Sequence, residues 1–136
     1  MSVPQQITCV TLGARSMTTL RAFYSGLGWT EREGSDDAFT AYDAGTVRLA
    51  LFPLEQLGLE AAPGEPIPAG WNGVTLAINV HTADSVDEVF RRAVDAGAKV
   101  IAEPVRRDWG GYSGYLSDPE GNRWEIAWAP GFIPEV

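Results

Sequence analysis

The sequence predicts an α+β fold made of two tandem β-α-β-β-β modules. Two observations lead to this prediction. A strand, an amphipathic helix and a glycine stop follow one another in residues 7–29 and again in residues 74–100. Each half then places Asp and Gly in a turn before an alternating strand, in residues 42–52 and 117–128. Because self-similarity of this kind indicates a repeated structural unit, we expect the same module twice.

The repeat also predicts the boundaries of the modules. Module one covers about residues 5–53, a connector covers about 54–72, and module two covers about 73–130. The stretch 53–73 contains four of the nine prolines and has no alternation, so we interpret it as an irregular link. A length of 136 residues is typical of one domain, and we expect residues 1–136 to form a single one.

Each predicted helix has a start signal and a stop signal. Ser16 or Thr18 is expected to cap the first helix, and Thr82 or Asp84 the second, because these side chains accept hydrogen bonds from free backbone N–H groups. Apolar residues follow at helical spacing in both segments. Glycines, including Gly97 in the second half, then end the helices.

Composition and charge narrow the possible functions. The formal net charge is −8 with ten basic residues, so we expect neither nucleic acid nor a membrane as a partner. No apolar run approaches the roughly 18 residues of a membrane span. The first residues lack the pattern of a signal peptide, and we therefore expect a cytoplasmic protein. The one cysteine, Cys9, excludes an intramolecular disulfide.

Alternation along the strands separates a helix-packed face from a face with small side chains. In residues 74–80 and, less cleanly, 7–12, the larger apolar residues alternate with small or polar ones, and only the larger ones suit a core. Small side chains on the far face of a curved sheet leave space for a ligand. The residues expected on this far face are Ile7, Cys9, Thr11, Thr75, Ala77 and Asn79.

One acid stands out in the last predicted strand. Glu125 alternates with Trp124 and shares its face with Arg123, so we expect it to point away from the helices. A buried carboxylate costs several kcal/mol unless it is paired. We therefore interpret Glu125 as a functional residue, while Trp124 and Trp128 are expected in the core.

Three sequence stretches resemble the vicinal oxygen chelate family, which includes glyoxalase I, extradiol dioxygenases, and fosfomycin and bleomycin resistance proteins. They are "FYSGLGW" (23–29), "DAGAKV" (95–100) and "DPEGNRWEIAW" (118–128), of which the last is the most specific. The resemblance implies that the two modules form one open eight-stranded cup, the glyoxalase/bleomycin resistance-like fold. It also implies a homodimer. An interface of this kind would bury Trp128, Phe132 and Ile133 near the C-terminus.

The resemblance also implies where metal ligands would lie. Family enzymes take His, Glu or Gln from four strand positions, which correspond here to Cys9, Leu49, Thr75 and Glu125. Only Glu125 retains a typical ligand, and two donors fall short of the three or four that a catalytic site requires. We therefore expect no metal or other cofactor; any metal would be held by Glu125 with Cys9. The one histidine, His81, is expected at the surface.

Other residues are candidates for a ligand site or for ordinary structure. Without a nearby base, Cys9 is expected to be a quiet buried thiol. Residues 106–115 form either a hairpin connection or a loop that folds over a ligand. Three tryptophans, Trp29, Trp71 and Trp109, lie in or near loops and are candidate walls of a ligand pocket. The predicted ligand-binding residues are Glu125, Cys9, Thr11, Leu49, Thr75, Asn79, Arg123, Trp71, Trp109 and Tyr112.

Three functions follow as hypotheses. The first is a small-molecule binding protein of the bleomycin-resistance type, which binds a planar or cationic organic ligand without a metal. The second is a glyoxalase- or dioxygenase-like enzyme, a lyase, isomerase or oxygenase. It would use Glu125 as a residual metal ligand or as a general base whose pKa is raised by burial. The third is an interaction module whose cup is filled by its own side chains, with Leu49 and Leu51 pointing inward.

Overall fold

The computed structural model describes residues 1–131, which form two compact units, residues 1–66 and the residues from Ile67 onward. The division between them falls inside the predicted connector. The α+β fold is confirmed. Phe132 and Ile133, which the sequence analysis places at a subunit interface, lie outside the described residues. Within residues 1–131, no helix is long and apolar enough to cross a membrane.

The first unit contains a three-stranded sheet with the order β1-β3-β2. β1 pairs parallel with β3, and β2 pairs antiparallel with β3. Its elements are β1 (Cys9–Ala14), α1 (Met17–Gly26), β2 (Thr40–Ala44), β3 (Val47–Pro53) and α2 (Leu54–Ala61).

The second unit contains a four-stranded sheet with the order β4-β7-β6-β5. β4 pairs parallel with β7, while β6 pairs antiparallel with both β7 and β5. One face of this sheet packs against α3. The elements are β4 (Thr75–Asn79), α3 (Ala83–Asp95), β5 (Lys99–Arg106), β6 (Tyr112–Ser117) and β7 (Arg123–Trp128).

The strand count differs from the expected eight, because seven strands form among residues 1–131. The second unit has all four predicted strands, but the first has three. Where the first unit would have its fourth strand, a single bridge joins Glu31 to Tyr42. Pairing here stops after one residue, and the next residues form a loop held by the Asp36 carboxylate, which accepts backbone N–H groups of Ala38 and Phe39.

The predicted irregular connector is partly wrong, because its first residues form helix α2. Pro53 occupies the N-cap, where a missing N–H has no cost. Leu54 and Leu57 then pack on β1 so closely that a Cβ added to Gly13 would lie 2.5 Å from the Leu54 side chain. This tertiary contact outweighs the weak helical pattern of the segment.

The helix boundaries agree with the sequence signals. Ser16 Oγ accepts the backbone N–H of Thr19 at 3.2 Å, and Thr82 Oγ1 accepts that of Ser85 at 3.1 Å. Ser16 and Thr82 are therefore the N-caps among the alternatives that the sequence offers. Gly97, just after α3, has a φ of 119°, a backbone conformation that favours glycine.

A charged cluster fastens α1 to the strands of the first unit. The Arg21 guanidinium binds both oxygens of Glu31, at 2.9 and 2.8 Å, and also reaches Asp37 at 2.7 Å. The hydroxyl of the buried Tyr42 lies 3.0 Å from Ser25 Oγ and donates to the Arg21 carbonyl at 3.2 Å. The guanidinium of Arg21 holds the pKa of Glu31 below its ordinary value.

These contacts predict that acid destabilises the first unit. The pKa values of Asp36 and Asp43 are also lowered, by backbone N–H groups and by Arg32 respectively. A lowered folded-state pKa gives stabilisation that is complete above the ordinary values of 4.5 for Glu and 3.8 for Asp. This stabilisation is lost as the pH falls through the folded-state values.

The melting temperature between pH 7 and pH 3 tests this expectation. Glu31→Gln should melt below the wild type at pH 7 and should lose less stability on acidification, because one titrating group has been removed. Glu33→Gln is the control, since Glu33 is exposed. Identical acid slopes for the wild type and Glu31→Gln would contradict the role of this ion pair.

Candidate functional site

Glu125 lies in the centre of the second unit's sheet, on the face opposite α3. β7 runs between β4 and β6, and the register places Ala77 and Tyr115 directly beside Glu125. Trp124 and Ile126 point the other way and are buried. The predicted strand parity is therefore correct. Glu125 itself is half-buried, and so is less buried than the general-base hypothesis assumes.

The Tyr115 hydroxyl donates a hydrogen bond to the Glu125 carboxylate. Burial is the main cause of a raised pKa of Tyr115, and the charge and hydrogen bond of Glu125 raise it further. The phenol therefore remains protonated at neutral pH and acts as a donor. Because a carboxylate has about four acceptor sites, one phenol leaves most of this capacity for a ligand.

Arg107 lies over the Tyr115 ring. Its Nε donates to Ser113 Oγ and its Nη2 to the Ser113 carbonyl, both at 2.9 Å. Ser113 is fully buried, so it provides a fixed anchor for the guanidinium. The guanidinium carbon lies 5.5 Å from the centre of the Tyr115 ring, a distance typical of a cation–π contact. Glu125, Tyr115, Arg107 and Ser113 are hereafter called the Glu125 cluster.

Three predicted site residues lie on the same sheet face as the cluster. Thr75 is opposite Arg123, and Asn79 is opposite Ala127. Arg123 donates to the Gly121 carbonyl at 2.8 Å, which turns its head group toward the loop before β7. The small, exposed Thr75 and Ala77 leave the Glu125 cluster open to solvent on this side.

The loop before β7 sets the position of Glu125. Asp118 is fully buried, and its Oδ1 accepts the backbone N–H groups of Glu120 and Asn122 at 2.9 and 3.0 Å. Its Oδ2 accepts the Asn122 side chain at 2.7 Å. The Gly121 N–H closes the turn on the Asp118 carbonyl at 3.1 Å, as the sequence predicts for DPEG.

Tyr112 lies on the other face of the sheet, so its prediction as a residue of this site is wrong. It alternates with Ser113 along β6, and its hydroxyl donates to Asp87 of helix α3 at 2.7 Å. The loop 106–115 forms a hairpin connection, closed by the Arg107 N–H on the Gly111 carbonyl at 2.9 Å. This contact agrees with the hairpin alternative for the segment.

The loop tryptophans make contacts of their own. Trp71 and Trp109 are exposed, and the Trp71 indole donates to the Val74 carbonyl at 2.9 Å. The Trp109 ring covers Gly111, where an added Cβ would meet it. Trp29 is half-buried and packs against the core rings of Tyr24 and Tyr42, at centroid distances of 5.9 and 6.2 Å.

In the first unit, the structure separates the predicted site residues. Cys9 and Thr11 are exposed on one face, with Sγ and Oγ1 3.7 Å apart, so the expectation of a buried thiol is wrong. Leu49 pairs with Val10 and Tyr42 on the helix-packed face and is buried. Its predicted place beside Cys9 is therefore wrong, and the same parity applies to Leu51.

The residues present do not fit the metal site that the family resemblance implies. In the register of β1 with β3, the residues that share the face of Cys9 and Thr11 are Arg48 and Ala50. Neither supplies a metal-binding oxygen, sulfur or imidazole. Nowhere in residues 1–131 do three His, Cys, Asp or Glu side chains gather in a way that could hold a metal ion. His81 is exposed at the end of β4, as expected.

Sequence reasoning missed Tyr115 and Arg107. Tyr115 is two residues beyond Ser113 on β6, and only the hairpin register places it opposite Glu125. The pairing of β5 with β6 shifts twice, between Val100 and Val105, so sequence spacing does not reveal the position of Arg107. An antiparallel register read back from the DPEG turn would have identified Tyr115.

Two βαβ-containing units with open sheets and small or polar side chains on the face opposite the helix define a glyoxalase-like class of protein. The sequence profile of the Glyoxalase/Bleomycin resistance protein/Dioxygenase superfamily matches residues 6–126. The chain belongs to this superfamily. The resemblance seen in the sequence is confirmed.

Solved structures agree with this assignment. A glyoxalase-related enzyme from Fulvimarina pelagi superposes with a TM-score of 0.87 at 27% identity, over 98% of this chain and 94% of that one. A glyoxalase/bleomycin resistance protein/dioxygenase family enzyme from Burkholderia phytofirmans PsJN gives 0.78 at 26%, over 89% and 96%. Lactoylglutathione lyase from Agrobacterium tumefaciens gives 0.71 at 25%, over 96% and 100%.

A curated relative gives a shorter match. The uncharacterized protein Rv0887c of Mycobacterium tuberculosis is 34% identical over 59 residues. The matched segment spans 43% of this chain and 34% of that protein.

Proposed function

We propose that this protein binds a small organic molecule on the sheet face of its second unit, with Glu125 as the polar anchor and without a metal. The observation that supports this proposal best is the Glu125 carboxylate, half-buried in mid-strand with a phenol as its neighbour. A carboxylate is unfavourable in a hydrophobic core. A carboxylate with a purely structural role would be expected to accept more hydrogen bonds from neighbouring groups.

The surroundings of Glu125 support a planar or cationic ligand that carries a hydroxyl or ammonium group. Such a group would donate to the free acceptor sites of the carboxylate, as Tyr115 does. The neighbouring Thr75 and Ala77 are small enough to admit a flat molecule. The net charge of −8 favours cationic compounds in the approach to the site. Homodimerisation and a cytoplasmic location remain predictions from the sequence.

A panel of planar, hydroxylated and cationic compounds tests this proposal. We expect members of the panel to raise the melting temperature and change the tryptophan fluorescence of the wild type. Glu125→Gln should weaken the binding of a cationic member at least about tenfold, because a charge-assisted hydrogen bond is lost. Glu88→Gln on helix α3 is the matched control, since Glu88 is an exposed carboxylate. A panel without effect on the wild type would contradict the proposal.

An enzymatic function is the second candidate, and the Glu125–Tyr115 pair supports it. Glu125 would act as a general base that removes a proton from a carbon next to a carbonyl group. The hypothesis drawn from the sequence relied on a buried Glu125, but the Glu125 side chain is half-exposed. Descriptions of the Fulvimarina pelagi protein as glyoxalase-related and of the Agrobacterium protein as a lyase also favour this candidate. Glu125→Gln separates the two functions, because it should abolish turnover but preserve binding of a neutral ligand.

A further inference from the structure

Arg107 gives the face around Glu125 a second charge, of opposite sign. We infer that this face selects ligands that carry both a carboxylate and a hydroxyl or ammonium group, with Arg107 binding the carboxylate and Glu125 the other end. This inference rests on the proposed function and names its ligand class. Both charged side chains belong to the second unit and contact Tyr115.

Arg107 has hydrogen-bond donors that are available to a ligand. Two of the five N–H donors of a guanidinium are used by Ser113, one on its hydroxyl and one on its carbonyl. Within residues 1–131, no acidic side chain forms an ion pair with Arg107. The remaining donors are therefore available, and their planar fork matches the geometry of a carboxylate.

Contacts within the second unit hold the Arg107 side chain in place. An exposed arginine loses side-chain entropy when it binds a ligand, which weakens binding. Here the buried Ser113 and the Tyr115 ring already fix the guanidinium before a ligand arrives. The guanidinium is also half-buried, so water screens its charge less than that of an exposed arginine.

Tyr115 contacts both charged side chains. Its hydroxyl contacts Glu125, while its ring carries Arg107 at 5.5 Å from the centroid. Because both charged groups contact the same phenol side chain, they lie near enough for one small molecule to reach both. A molecule with one polar group at each end of a single aromatic ring offers a partner to each of the two charged groups, and 4-hydroxybenzoate is a simple probe.

Calorimetric titration with four probes tests the inference: 4-hydroxybenzoate, benzoate, phenol and tyramine. We expect 4-hydroxybenzoate to bind at least about tenfold more tightly than benzoate or phenol, since each of these lacks one polar group. Arg107→Gln should remove this advantage over phenol but should leave the affinity for phenol unchanged. Arg107→Lys, which retains the charge without the fork, should give an intermediate loss and replaces Arg107→Gln if that variant does not fold.

Arg106→Gln is the matched control, because Arg106 lies over Tyr112, on the other face of the sheet. It should leave the affinity for 4-hydroxybenzoate unchanged, and an equal loss in both variants would overturn the inference by indicating a general effect of charge. Equal affinity for phenol and 4-hydroxybenzoate would also overturn it. If tyramine binds through Glu125 while 4-hydroxybenzoate does not, the ligand class is wrong but the proposed function stands. If none of the four probes binds, the ligand class is wrong, and the wider panel decides the proposed function.

Discussion

Asp118→Ala is expected to lower the free energy of unfolding by about 2–4 kcal/mol. The substitution removes a buried carboxylate that accepts two backbone N–H groups and the Asn122 side chain. These donors would then lose their partner in a part-buried turn. The loss should be visible as a lower urea midpoint with an unchanged m-value.

Two further variants make the Asp118 result specific. Asp118→Asn retains one acceptor oxygen for the backbone, so its loss should be clearly smaller. Asp108→Ala removes an exposed acid from the neighbouring hairpin and should change stability by less than about 0.5 kcal/mol. A stability of Asp118→Ala close to that of the wild type would mean that the turn before Glu125 does not depend on this carboxylate.

Gly114→Val should destabilise the second unit by about 3 kcal/mol or prevent it from folding. An added Cβ at Gly114 would lie 2.8 Å from the backbone nitrogen of Pro104 and 2.9 Å from the ring of Phe90. Phe90 is a buried residue of α3, and Pro104 belongs to the neighbouring strand β5, so neither neighbour can move away easily. The substitution forces α3 or β5 away from the sheet.

Gly58→Ala provides a control with the opposite sign. Gly58 is in helix α2, and an added Cβ there meets nothing within 4 Å. Alanine should stabilise the helix by about 0.5–1 kcal/mol, because glycine loses more backbone entropy on folding. Denaturant unfolding of both variants tests whether Gly114→Val lowers and Gly58→Ala raises the free energy of unfolding. Destabilisation by Gly58→Ala, or a stability of Gly114→Val close to that of the wild type, would contradict this account.

Local signals in the sequence predicted much of the fold. The caps at Ser16 and Thr82 and the turn at DPEG depend on side chains that bond to their own neighbours, so the sequence alone identifies them. The outward direction of Glu125 follows from alternation with the large apolar Trp124 and Ile126. These features do not require knowledge of distant parts of the chain.

Non-local features were predicted poorly. The face of Leu49 depends on its pairing with Val10 and Tyr42, which the alternation of β3 does not determine. Helix α2 depends on the packing of Leu54 against Gly13 and was hidden by a proline-rich composition. The position of Arg107 beside Tyr115 requires the shifted register of a hairpin. In each case the deciding partner is distant in sequence or displaced by a bulge.

The Glu125 cluster was predicted in part by local sequence signals and in part only by the structure. Sequence reasoning identified Glu125 and placed it on the correct face, while the structure adds a proton donor and a fixed cation beside it. The poor fit of the first unit's residues to a metal site supports the same proposal as this polar cluster. We propose that a ligand at this face binds to protein side chains and not to a metal ion.

Ligand titration of protein treated with a chelator tests this interpretation most directly. A compound from the panel that raises the melting temperature should bind chelator-treated wild type as tightly as untreated protein, and at least about tenfold more tightly than Glu125→Gln. Binding that disappears on chelation and returns only with a divalent metal would contradict the account, as would an affinity unchanged by Glu125→Gln.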